Sequence, residues 1–109
     1  LKNTLIDGNW FVSLYLDDGE DDETSDYDSF TFNFLESGEV EASNSSTTLT
    51  GSWTVMGNDS HLKLILNFND VYPLDDLDDD WDVFSVAVNE VKLRDDNDDD
   101  ADILIFEKL

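Results

Sequence analysis

The chain has no cysteine, one proline, one methionine and one histidine in 109 residues, and only five basic side chains. The missing thiols exclude disulfide staples, zinc–thiolate centres and cysteine nucleophiles. The lone histidine, His61, leaves no second imidazole for a transition-metal site. No serine sits in an elbow motif with a histidine nearby, so nucleophilic catalysis is not expected. Apolar runs are short, far below the roughly 20 residues that cross a bilayer as a helix. The net charge of −23 repels nucleic acid and anionic lipid, because both are polyanions.

What is present is acid and aromatic. Twenty-eight acids divide into twenty-one aspartates and seven glutamates. Aspartate is a poor helix former and a good turn former, so these charges point to loops. Three Trp, three Tyr and seven Phe, within an apolar fraction of 39%, exclude a disordered acidic tail. The length suits one domain, residues 1–109, with one real core. Carboxylate pairs are too common here to single out a glycosidase, which needs two acids across a cleft with separated pKa values. The chain reads as a non-enzyme. It opens at Leu1 without a methionine, as a trimmed or processed domain would.

Period-two alternation dominates. Trp10, Val12, Leu14 and Leu16 share one face of a first strand, and Phe30, Phe32 and Phe34 one face of a second. Val40 and Ala42 mark a third. Leu49, Gly51, Trp53 and Val55 define a fourth, and Leu62, Leu64, Leu66 and Phe68 a fifth. "WDVFSVAV", "EVKLR" and "ADILIFEKL" supply the rest. Turn-rich breaks between them predict an all-β antiparallel meander of about eight strands. Closing it into a small barrel would remove its free edges. Only "VYPLDDL" suits a helical turn, and residues 1–7 suit an extended lead-in or a turn of helix plugging one end.

Four short pieces, in order along the chain, carry a family resemblance. "GNW" heads the first strand and a basic residue follows the last in "FEK". "TGSW", then "DDW" with "VKL", and a closing "LIFEKL" complete the set. The chain resembles the lipocalin-like small β-barrel domains of Bacteroidetes-type surface lipoproteins. That resemblance implies a secreted or lipid-anchored binding module at the outer-membrane surface or in the periplasm, its anchor outside this sequence. It also implies a late basic side chain packed over Trp10. Lys108 fits by position, with Arg94 as the alternative.

A meander fixes where the acids go. Odd-numbered connections lie at one end, and connections one (17–28), five (69–80) and seven (95–102) hold twenty of the twenty-eight acids. The expectation is a bipolar molecule whose one rim is dense in carboxylate. Such a rim repels itself, and calcium, taking about six to eight oxygen ligands, is the direct remedy. Asp96, Asp98 and Asp100 stand at the first, third and fifth positions of a calcium loop. The sixth is Ala101 in place of glycine, and the twelfth, Glu107, falls in a strand, so a full EF-hand is not expected. A looser site would combine those three with Asp17, Asp18, Asp21 and Asp22 of the first connection. The alternative is that the acids only keep the rim soluble.

Trp10 and Trp53 are expected to close and fill the barrel base, because small barrels pack their interiors. Trp81, Tyr27 and Tyr72 sit among the acids and would supply contact area to a partner. The expected function is therefore a binding module whose acidic pole takes cations or a basic protein surface. The second reading is a carrier of a small neutral or cationic apolar ligand, with Phe30, Phe32, Phe34, Leu64 and Leu66 lining an open interior. The third is a structural accessory domain of a surface lipoprotein assembly. No cofactor other than calcium is implied.

Overall fold

A computed structural model gives the fold and describes residues 1–58, 61–95 and 101–109. A short helix α1 (Lys2–Ile6) leads into β1 (Trp10–Asp17), then β2 (Asp21–Asp22) and a 3-10 turn η1 (Thr24–Tyr27). Next come β3 (Thr31–Phe34), β4 (Glu39–Ser43), β5 (Thr48–Asn58) and β6 (His61–Asn67). A second 3-10 turn η2 (Leu74–Leu77) precedes β7 (Asp79–Ala87), β8 (Glu90–Arg94) and β9 (Ile103–Lys108). Neighbouring strands pair antiparallel, and β1 pairs with β9 to close the sheet into an eight-stranded barrel. The additional strand, β2, is a two-residue flange on β1.

Closure is asymmetric. β1 matches β9 from Trp10↔Lys108 to Leu16↔Ile103, but meets β3 only at Trp10↔Phe32. Beyond that point the two strands diverge, and η1 fills the wedge between them. Glu23 N donates to Tyr15 O at 2.9 Å, and Tyr15 N donates to Thr24 Oγ1 at 2.9 Å. The β1 backbone therefore keeps partners where β3 has left it.

The first strand corrects the sequence expectation. A bulge at Ser13 shifts the β1–β9 register between Val12 and Leu14. Past it Tyr15 faces the core, while Leu14 and Leu16 turn outward and are only half-buried. One extra residue inverts the alternation, because strand side chains repeat every two residues. In β5 and β6 the expected faces hold: Gly51, Trp53, Leu64 and Leu66 are buried.

Aromatic rings fill the interior. Phe32 and Phe34 both pack edge-on against Phe106, at centroid distances of 5.2 and 5.6 Å. Phe34 also meets Trp53 at 5.5 Å, and Phe32 meets Phe68 at 6.2 Å. Edge-to-face pairs of this kind add about 0.5–1.5 kcal/mol each beyond burial. Two plugs seal the ends. At one, Leu5 of α1 is buried and its carbonyl accepts Trp10 Nε1 at 3.0 Å. At the other, Leu74 and Leu77 of η2 are buried, and Leu77 O accepts Trp81 Nε1 at 2.9 Å. Lys108 lies across the α1 end, its Nζ 5.6 Å from the Trp10 ring centroid and 3.0 Å from Asp7 Oδ2. Arg94 lies elsewhere, 5.2 Å over the Phe84 ring.

Gly51 is required by the closeness of β5 to the end of β6. A Cβ there would strike the Asn67 carbonyl and come within 2.8 Å of the Phe68 ring. Gly51→Ala is expected to cost about 2 kcal/mol or more in urea unfolding, through overpacking. Lys108→Ala should cost about 1 kcal/mol, from the lost cation–π contact and the exposed ion pair.

Candidate site at the acidic pole

The first connection opens with an Asp-Gly turn. Asp18 and Gly19 both have positive φ, 55° and 73°, and Glu20 N donates to Asp17 O at 3.2 Å. Aspartate tolerates the left-handed region and glycine enters it freely, so this dipeptide suits the turn. The turn aims Asp17 and Asp18 at the seventh connection. There Asp18 N donates to Asp102 Oδ1 at 2.7 Å, across 84 residues of sequence. Asp95 braces the loop base, accepting Asp102 N on Oδ1 at 2.9 Å and giving its own N–H to Asp102 O at 3.2 Å. One carboxylate oxygen each from Asp17, Asp18 and Asp102 falls within 4.8 Å of the other two.

The fifth connection joins the same pole. Asp78 holds it: Oδ1 accepts Phe68 N and Oδ2 accepts Asp70 N at 3.0 Å. Tyr15 OH donates a long bond, 3.5 Å, to Asp76 O. Burial raises the Asp76 carboxyl above its ordinary value, helped by the charges of Asp75, Asp17, Asp26 and Asp102. Asp102 is raised by burial, with Asp95 and Asp18 adding to it against the bond from Asp18 N. Asp79 is pushed up to about 6 by burial, with Asp80 and Asp95 beside it. Asp80 moves the other way, lowered by its hydrogen bond with Asp79 and then by Lys63. Carboxyls from all three acidic connections thus feel one another's charge, as parity of the meander required.

The predicted site residues separate into groups. Asp17 and Asp18 meet, joined by Asp102, which sequence reasoning placed in the acidic flank and not among the ligands. Asp21 and Asp22 lie on β2, where Asp22 is lowered by its bonds to Thr24, from the hydroxyl and the N–H. Asp96, Asp98 and Asp100 lie outside the described residues. Glu107 is fixed in β9 opposite Phe11 and Glu90, so it cannot curl back to a calcium loop.

Two expected contact residues are corrected. Trp81 is fully buried and Tyr27 is 1% exposed, so neither offers surface to a partner. The η2 and η1 turns fold over them, which the acid-rich sequence around each had concealed. Tyr72 is 80% exposed and remains available. Trp10 and Trp53 are both buried at or near the α1 end, and Lys108 covers Trp10. Phe30, Phe32, Phe34, Leu64 and Leu66 are buried as packed core, with the phenylalanine rings seated against neighbouring aromatics. His61 starts β6, 3.8 Å from Asp82, at the end remote from the acidic connections. The Asp-Gly dipeptide signals the tight turn that carries Asp17 and Asp18, but nothing in the sequence pairs that turn with Asp102.

No protein-family model and no curated protein matches the chain. Solved structures do. A DUF4847 family protein from Bacteroides vulgatus superimposes with a TM-score of 0.71 at 13% identity, covering 99% of this chain and 96% of that one. A lipocalin-like protein from Bacteroides uniformis gives a TM-score of 0.63 at 20% identity, covering 95% of this chain and 98% of that one. The likeness is one of fold: the chain folds as a small closed β-barrel of lipocalin-like architecture, similar to these two Bacteroides barrels.

Proposed function

We propose that the protein is a non-catalytic binding module working outside the cytoplasm, whose acidic pole takes cations, calcium foremost, or a basic protein surface. One observation carries this reading: Asp17, Asp18 and Asp102 converge, from loops distant in sequence, to within 4.8 Å. Carboxylates at that spacing repel one another, and a divalent cation turns the repulsion into ligation. Oxygen-only donors in irregular loops suit calcium better than zinc or copper, which favour nitrogen and sulfur. Toward a basic protein the same pole would steer encounter at long range, with exposed Tyr72 as contact area.

The extracytoplasmic setting is supported by likeness of fold to the two Bacteroides barrels, with a lipid anchor outside this sequence as the means of attachment. Among the described residues no helix is long and apolar enough to cross a membrane. Catalysis is left out of the reading because the pole's aspartates are largely solvated and His61 lies at the other end.

Calcium is expected to raise the melting temperature saturably, beyond magnesium and beyond sodium chloride of matched ionic strength. At 100 times the dissociation constant the gain would be about 2.7 kcal/mol, or roughly 10 °C. Asp17→Asn combined with Asp102→Asn should remove most of that shift. Equal shifts in all three salts would mean screening alone, and the calcium reading would fall.

Acid should stabilise the calcium-free protein. Asp79 has a folded pKa of about 6, above its unfolded value, so its contribution is fully present below the unfolded pKa. That stability is lost as pH rises from about 4 to about 6. Asp79→Asn should therefore flatten the melting profile over that window and gain about 1 kcal/mol at pH 7, after discounting for partial exposure. A profile unchanged by the substitution would refute this assignment.

A further inference from the structure

An antiparallel sheet that faces water on one side turns polar side chains to that side. β3 and β4 follow this rule, with Thr31, Asn33, Glu39, Glu41 and Ser43 outward. β1 and β9 break it. The bulge at Ser13 sends Leu14 and Leu16 outward, where the register sets them beside Ile105 and Ile103. Phe11 extends this strip toward the α1 end, and all five side chains are partly exposed. The strip is continuous, because directly paired residues on one face of a sheet lie about 5 Å apart at Cβ.

β8 borders the strip with charge in a definite order. Arg94 pairs with Ile103, Lys92 with Ile105, and Glu90 with Glu107. Arg94, at the end nearer the acidic pole, rests on the Phe84 ring and forms no ion pair among the described residues. At the other end Glu90 and Glu107 stand directly opposite each other, and like charges so placed destabilise a ladder. Lys92, in the middle row, is drawn to its own Glu90, Nζ lying 3.7 Å from Oε1. A cation without an acid at one end and two facing acids at the other are complementary to the same wall turned end for end.

We propose that the outer wall of β1, β9 and β8 docks a second copy of this chain. The two walls pack sheet on sheet, about 10 Å apart, around a two-fold axis that crosses the strands at the Leu14–Ile105 row. Leu14 and Ile105 then meet their counterparts, and Arg94 of each copy meets Glu90 of the other, with Glu107 alongside. The same turn sends the two acidic poles to opposite ends, whereas a parallel arrangement would bring them together. This face is separate from the acidic pole, so it stands or falls independently of the cation reading.

Sedimentation equilibrium tests it, in salt that cuts the Debye length to roughly 5 Å and so screens the poles. The parent should dimerise with a dissociation constant in roughly the micromolar range. Ile105→Thr, which suits an exposed strand position, should weaken the dimer about tenfold or more. Arg94→Glu and Glu90→Lys, each shown to be folded by its melting curve, should be monomeric alone, because each sets like charges face to face. An equimolar mixture of the two should dimerise again, since both contacts are then of opposite sign. A parent that stays monomeric up to about 1 mM overturns the proposal. So does a parent dimer that Ile105→Thr leaves unchanged, that both charge variants retain, or that mixing them does not restore.

Discussion

The ladder between β1 and β9 is what the rest of the molecule depends on. It joins the first strand to the last and leaves the eight-stranded sheet without a long open edge. Along β1 the closed sheet also sets which side chains enter the core, because the bulge at Ser13 is defined only by the β9 partner. On the other flank β1 touches β3 at one pair. The wedge so formed admits η1, and η1 carries Tyr27 into the core. Closure therefore decides the packing and the position of the acidic pole together.

That pole is an electrostatic load on a small barrel. Self-repulsion among its carboxylates opposes the apolar burial that holds the sheet. Part of the load is relieved locally, since several acids accept backbone N–H groups that the loops would otherwise leave unpaired. Asp78 serves the fifth connection in this way, Asp95 the seventh, and Asp102 ties the seventh to the first. Aspartate has the short reach such loops need, which accounts for its excess over glutamate. The remainder of the charge is free to act on whatever approaches.

The opposite end is built on different chemistry. There α1 caps the barrel with Leu5, and Trp10 is held by a carbonyl below and a lysine above. Both ends are plugged by apolar side chains, and the acidic end gathers charge as well.

Much of this was legible from local pattern. Alternation of apolar residues marked β3, β5 and β6 with their buried faces, because a strand's side chains need only its own sequence to alternate. Counting connections placed the acids at one end, since antiparallel order fixes parity. What the sequence could not settle was which acids meet. Asp18 and Asp102 are 84 residues apart, and only the closed sheet brings them within hydrogen-bonding distance. It also could not tell that Trp81 and Tyr27 are buried, because their acidic neighbours read as surface while the 3-10 turns fold their rings inward. Composition and periodicity determined the fold class and the sign of the charge. Tertiary closure decided the contacts, because they depend on where distant loops end up in space.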